Sequence, residues 1–485
     1  MIPSLEQDQL GGKTMMGRRE RGQGQFFYEF HLDEVVPPDH LVRRIEAVLD
    51  LGWVHQELAP YYSHTGRPSI DPELMIRMLI AGYVFAIRSE REICAQVQVN
   101  LAYRWFCGLS IEEPIPNHSC FSRARHERFR ESDVLRRVFE QVVARCIAAG
   151  HVGGEAFSID ASLIRADVDK NKRVPSDKPI ERPTPEEASR AVRDYLAALD
   201  AARCDEDGGG GEDSGSNKSG SGGKPPKQIS LTDPQASWVA RKGVEAFFAY
   251  DANYLIDNKA GIILDADGTR ANRSDEIAVT ETMVERVARR FDLKPDRLAG
   301  DTAYGAARLL KWLVDRKIEP HVPLWDKSKQ TGGRFTKEDF VFDKKRNVYI
   351  CPAGAALTHS GRIDQGRILP YRASKNDCST CTLKPKCTTA VARKVSRDID
   401  EDVRDHVRAL VNTEAFQLSR RERKKVEVRF AHMKGIHKLD RLRLRGLNGA
   451  KDEVLLTATA QNLRRLVKLA CRAPPRAQAA CVASA

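Results

Sequence analysis

The chain has 485 residues, long enough for two or three domains that each bury a core. Its 79 Lys and Arg against 67 Asp and Glu give a formal charge of +12, which favours an acidic partner, nucleic acid foremost. Eleven cysteines in so long a chain exclude a disulfide scaffold, and with no long apolar run and no hydrophobic signal core the expectation is a cytoplasmic protein with mostly free thiols.

Residues 1–25 read as a polar, Gly- and Arg-rich flexible tail. Residues 26–150 are patterned as an all-helical domain. It holds an amphipathic helix over His40–Leu51 and a long apolar one over Leu74–Ile87, opened by Asp71-Pro72-Glu73. Ser89 and Glu92 have capping-box spacing, Ser119 is placed to cap Phe121–Phe129, and Val134–Ala149 closes the set. With Arg88, Arg91, Arg123, Arg125, Arg128 and Arg130 expected to face outward, the domain suits DNA binding or dimerisation about equally. Tyr103, Trp105 and Phe106 read as core.

The period then changes. Ala156–Asp160 is a short strand ending on a carboxylate. Residues 166–240 interrupt the pattern with a short helix near Glu186–Leu199 and the low-complexity tract 207–223, a flexible insertion. A hairpin follows, Phe247–Asp257 with Ile262–Ala266, then a helix over Glu276–Phe291. Arg297–Asp301 is a second short strand ending on Asp, before a helix at Gly305–Arg316 and a strand at Glu319–Pro323. This alternation predicts an α/β core over 151–324 and 416–470: a mixed sheet flanked by helices, with two strand-end carboxylates facing its crevice.

The intervening insertion, 325–415, contains Cys351, Cys378, Cys381 and Cys387. Four thiols that include a CxxC suit tetrahedral zinc, but free thiols in a loop-rich subdomain fit the same spacing. Tyr371, Lys375, Lys384, Lys386 and Arg393 beside them suit a DNA-facing or a merely solvated surface. Val454–Leu469 reads as an amphipathic helix, and 471–485 as a disordered tail.

The stretch Arg420–Gly446 completes the pattern. On a helix, Arg423, Glu427 and Lys434 share one face beside an apolar stripe of Val426, Phe430 and Met433. The bland reading is a solvated basic helix with i,i+4 ion pairs. The sharper one joins Glu427 to Asp160 and Asp301 as a carboxylate triad for divalent metal, with Asp167, Asp251, Asp257, Glu414 and Glu422 as competing acids. The absence of a phosphate-binding glycine loop, GxGxxG or HExxH removes nucleotide-driven and zinc-protease chemistries.

FSIDASLIRADV around Asp160, LAGDTAYGAARLLKWL around Asp301, VYICPAG with CSTCTLKPKC, and LDRLRLRGLNGAKDEVLLTATAQNLRRL resemble, in this order, the DDE transposases of bacterial insertion sequences. The likeness is closest to the group with a helical N-terminal domain and a cysteine-bearing insertion. The family's Y-x2-R-x3-E-x6-K motif falls on Arg423, Glu427 and Lys434, and departs at Arg420, where the family has Tyr. The resemblance implies a ribonuclease-H-like core in which Asp160, Asp301 and Glu427 hold two Mg²⁺ or Mn²⁺ ions. It further implies Arg420, Arg423, Lys424 and Lys434 at the DNA, and a dimer acting on terminal inverted repeats and target DNA, with no membrane partner.

Overall fold

The computed structural model describes residues 30–63, 65, 69–175, 195–198, 228–241, 243–324, 333–364 and 366–471. The two predicted tails, the low-complexity tract and most of the Glu186–Leu199 segment lie outside the described residues, apart from a helical turn at 195–198.

At the centre is β1, Ala156–Arg165, in a six-stranded mixed sheet. β2 (Arg173–Pro175) and β3 (Gln228–Ser230) form a separate antiparallel ribbon. On one side of β1, β5 (Val244–Asp257) runs antiparallel, from Phe157 opposite Asp257 to Arg165 opposite Ala249. The length of β5 lets two strands share its far edge: β4 (Ser237–Arg241) pairs with its first half and β6 (Ile263–Arg270) with its second. On the other side β7 (Arg297–Ala299) and then β8 (Glu319–His321) lie parallel to β1. The expected order of strands is therefore met, with one adjustment. β1 does not end at Asp160, because β5 continues to pair with it for five further residues; Asp160 sits mid-strand opposite Tyr254.

Helices cover the sheet. Arg273–Phe291 packs on β5 and β6, and Ala307–Asp315 connects β7 to β8. The C-terminal helix, Gly446–Ala470, longer than predicted, packs on β6 and on the N-terminal helices Pro72–Val84 and Val134–Ala148. It crosses β6 at Gly268, where a Cβ would lie 2.9 Å from the Lys451 backbone nitrogen; only glycine admits this approach. Fifteen residues of this helix are buried, so it is enclosed on most sides rather than amphipathic.

In the N-terminal domain Asp71 caps Pro72–Val84 as expected, accepting from the Glu73 amide at 2.7 Å. The first helix is shorter than read, Leu41–Glu46. Ser89 stands at the start of Glu90–Val99 without a side-chain cap bond, and His118 rather than Ser119 precedes Ser119–Ala124. Phe106 is buried, with Tyr103 and Trp105 packed at the margin of the core. Two of the six arginines do not face outward. Arg88 bonds the fully buried Glu453 at 2.6 Å, and Arg125 reaches Glu90 at 2.6 Å and Asp452 at 3.4 Å. A charge beside a long helix cannot be seen from the arginine's own sequence neighbourhood; both clamp the helical domain to the C-terminal helix.

A second buried ion network joins the layers. Asp265 of β6 is 1 % exposed and accepts from Arg136 at 2.6 Å and from Arg286 at 2.6 and 3.1 Å. Removing one side of such a cluster strands the other in low dielectric. Asp265→Ala is expected to cost about 3–5 kcal/mol in chemical denaturation. A loss like that of an exposed ion pair, under about 1 kcal/mol, would show that the arginines find other partners.

Residues 333–398 build their own small core of Phe340, Tyr349, Leu357, Tyr371, Ala373 and Val395. It comprises the three-stranded β9 (Val341–Asp343), β10 (Val348–Ile350) and β11 (Ala356–Leu357), and the pair β12 (Ile368–Arg372) and β13 (Lys394–Asp398). Tyr371 therefore belongs to this core, its hydroxyl donating to Asn347 at 2.7 Å, and is not a surface group. Arg393 stacks over Phe340 and donates to the Cys387 and Phe335 carbonyls.

Candidate active site

The pairing of β1 with β7 positions two of the three predicted acids. Ser158 lies opposite Ala299, so two residues further on Asp160 and Asp301 emerge side by side, just past the point where β7 stops. Gly300 and Asp301 leave the sheet in a turn that winds into Thr302–Tyr304, and Asp301 caps that turn by accepting from the Ala303 amide at 2.7 Å.

Glu427 arrives from elsewhere. The predicted helix around it is broken by a turn at Arg423, between Glu414–Glu422 and Lys424–Gly435. Val426, Phe430 and Met433 anchor the second helix in the core, with Phe430 stacked on Tyr254 of β5 at 4.8 Å. Tyr254 is the register partner of Asp160, so this stacking brings the helix over the acid. Arg423 spans the remaining gap: Nη1 donates to Asp160 at 3.0 Å and Nη2 to Glu427 at 2.8 Å. The two carboxylates are thus held a guanidinium's breadth apart. The i,i+4 ion pair of the bland reading exists, but it is half of a bridge reaching 263 residues back in sequence.

A fourth carboxylate, missed in the sequence, joins them. Glu276 lies in the first turn of Arg273–Phe291, whose Arg273 guanidinium donates twice to the Ala303 carbonyl beside Asp301. Burial raises the Glu276 carboxyl above its ordinary range; the Tyr304 hydroxyl opposes this and Asp301 adds to it. Between them Tyr304 is 1 % exposed; its hydroxyl is directed at Glu276, and Asp160 and Asp301 are its other charged neighbours. Nothing local in the sequence separates Glu276 from Glu281 or Glu285 on the same helix.

Most competing acids have structural work. Asp257 accepts from the Gly153, Gly154 and Lys259 amides, Asp167 pairs with Arg441 and Arg445, and Glu422 with Arg297 and Lys425. Arg420 and Lys424 are exposed near Glu427, and Lys434 is half-buried in the last turn of its helix.

Burial pushes the Asp160 carboxyl up to about 6; Arg423 and the Ala161 amide oppose this, while Asp301 and Glu276 add to it. An unfolded aspartate titrates near about 4, so the folded, metal-free protein takes up a proton between about pH 4 and 6 and loses stability as pH rises through that window. Asp160→Asn removes the penalty. It should raise stability near about pH 7.5 by roughly 1–2 kcal/mol and give no gain near about pH 4. Thermal melts at the two pH values, both in chelator, check this; equal effects at both would refute it.

The four insertion cysteines lie in one small subdomain. Cys351 opens the turn between β10 and β11, Cys378 and Cys387 lie on two short helical turns, Lys375–Ser379 and Lys384–Cys387, and Cys381 lies between those turns, all half-buried. The Cys387 thiol is pushed up by burial, then eased by Arg393, and pushed up again by Cys378, Cys351 and Cys381. The nine cysteines among the described residues are free. Among the described residues no three His, Cys, Asp or Glu side chains converge as a metal-holding group, and no helix is long and apolar enough to cross a membrane.

Residues 30–127 match the family described as Transposase domain (DUF772), and residues 350–467 match the Transposase DDE domain family. The second match contains Glu427 and all four clustered cysteines; Asp160 and Asp301 lie outside both. No curated protein and no solved structure gives a significant match. Each match covers less than half of the chain, and both are to transposase domains. More narrowly, the pair supports a DDE transposase of an insertion sequence.

Proposed function

We propose that this protein binds the terminal inverted repeats of its own element, cuts the DNA at their ends and joins the freed 3′ ends to target DNA. The observation that supports the reading is the pairing of β1 with β7, which sets Asp160 beside Asp301, together with the Arg423 bridge that ties Asp160 to Glu427. The core is read as ribonuclease-H-like. Its support is the order of three antiparallel strands, β1, β5 and β6, followed by two parallel to the first on its other side, β7 and β8.

The donor set fits a hard divalent cation. Asp160, Asp301 and Glu427 present carboxylate oxygens only, the ligands Mg²⁺ and Mn²⁺ favour, and the buried Tyr304 hydroxyl lies near Asp160 and Asp301. Two such ions, when bound, supply activation of the attacking oxygen and stabilisation of the leaving one. Asp160 and Asp301 are held by the sheet, while Glu427 rides on a helix preceded by a turn. Closure then needs only Arg423 to exchange Asp160 for a DNA phosphate. Arg420 and Lys424, exposed beside it, and Lys434 are assigned to the same backbone. In the first reaction a water oxygen bonds to phosphorus and the bond to the 3′ oxygen breaks. In the second, that 3′ hydroxyl displaces a 3′ oxygen of the target.

The helical N-terminal domain is assigned to DNA binding and pairing of subunits in a dimeric complex, and the clustered cysteines to a structural zinc ion. The test is a joining assay with pre-cut element ends, a supercoiled target plasmid and Mg²⁺. Covalent joining is the expected result. Nicking without joining would leave a nuclease, and neither product would leave a DNA-binding protein.

A further inference from the structure

On the face of the Lys424–Gly435 helix turned away from Glu427, a half-open cavity of about 430 Å³ is walled by that helix, the C-terminal helix and the short helix Leu41–Glu46. Five cationic side chains line it: Arg44, Arg429, Arg464, Arg465 and Lys468. No acid does. The two histidines in the wall, His432 and His437, are shifted down by burial, so they add no fixed charge at neutral pH.

Arg429 is the telling residue. It is 8 % exposed, its Nε has no hydrogen-bond partner, and no carboxylate pairs with it among the described residues. Its neighbours aggravate the charge: burial, then Arg465, bring its pKa down to about 10. A buried, unpaired guanidinium costs several kcal/mol, and proteins keep such groups where a counter-charge arrives. The rest of the wall is held in place. Arg464 donates to the Val84 carbonyl at 2.8 Å and Arg465 to the Ala260 carbonyl at 3.0 Å, while Gln461 donates to the Arg429 carbonyl at 3.1 Å. The Gln461 Oε1 is also without a partner, an acceptor that suits a water shared with the bound anion. The wall is thus a fixed set of donors around a guanidinium whose Nε is buried without a partner.

We propose that this cavity is a phosphate-binding site, separate from the carboxylate cluster, with Arg429 as its buried anchor and Lys468 at its rim. Arginine's planar fork suits tetrahedral phosphate oxygens, and the missing acids leave nothing to compete for it. The phosphate comes either from a bound DNA strand or from a free phosphate. The site needs no strand cleavage, so it stands apart from the activity proposed above and is tested apart from it.

The experiment uses the full chain, Arg429→Met and Lys468→Gln. In the first arm, inorganic phosphate replaces chloride at matched ionic strength and thermal unfolding is followed. The wild type should gain roughly 2–4 °C, Lys468→Gln less, and Arg429→Met nothing. Without phosphate, Arg429→Met should melt no lower than wild type, since it removes an unpaired buried charge; a merely structural arginine would give a lower midpoint. In the second arm, duplex binding is titrated against salt in chelator. A fall of about one in the slope of log K on log salt for Lys468→Gln and Arg429→Met assigns the phosphate to DNA. An unchanged slope with the first arm positive assigns it to a free phosphate. No phosphate-dependent stabilisation and no change of slope overturns the proposal.

Discussion

Asp301→Asn is expected to abolish strand cleavage while leaving DNA binding within about twofold of wild type, since it disturbs no core packing. The substitution is nearly isosteric. Its Oδ1 can still accept from the Ala303 amide, so the Thr302–Tyr304 turn that carries it should keep its shape. What is lost is one of the charges that Asp160, Glu276 and Glu427 cannot replace, because each is fixed to a different element. The rate of end cleavage should fall by roughly a thousandfold or more, the scale on which removing a group acting directly on the transition state is felt. Cleavage is read on labelled element ends in Mg²⁺, binding by mobility shift in chelator. Retained cleavage with Asn at this position would remove Asp301 from the site. Loss of binding together with cleavage would instead show that the turn, and not the charge, had been disturbed.

What could be read from the chain beforehand depended on how local each signal was. Asp160 and Asp301 were legible because strand-forming residues of alternating pattern lead into each, and parallel pairing then places them level. Glu427 was legible through its apolar stripe, Val426, Phe430 and Met433, which the structure buries. The Arg423 bridge to Asp160 was not, since helix spacing gives only the local half of the pair. Glu276 was hidden for the same reason: its helix pattern was plain, but which turn met Tyr304 depended on how that helix docks. Arg88 and Arg125 were placed outward because charged residues usually are; the acids that bury them, Glu453 and Asp452, stand more than 300 residues later. Tyr371 was misplaced because a small aromatic core in a cysteine-rich insertion leaves no periodic trace.

Removal of metal from the Cys351–Cys378–Cys381–Cys387 cluster is expected to unfold the insertion and leave the sheet standing. The insertion has six buried core residues and strands of two to five residues, little to hold 333–398 together. Burial first, and then the three neighbouring thiols, push Cys387 upward, and only Arg393 opposes this. A divalent zinc ion reverses that repulsion, and in small domains such binding contributes about 10–16 kcal/mol of apparent free energy near neutral pH. One zinc per chain is expected by elemental analysis of protein purified without added metal. Chelation, or Cys381→Ser, should open 333–398 to protease while fragments containing β1 to β8 persist. The signal should also appear in the near-ultraviolet dichroism of Tyr349 and Tyr371, whose rings meet edge to face at 5.1 Å in that core. Because the same insertion runs directly into Glu401–Leu410 and on to the helix of Glu427, its collapse should reduce end cleavage in step with the loss of zinc. Metal-free protein that resists protease and cuts DNA at the wild-type rate would leave the four cysteines as free thiols.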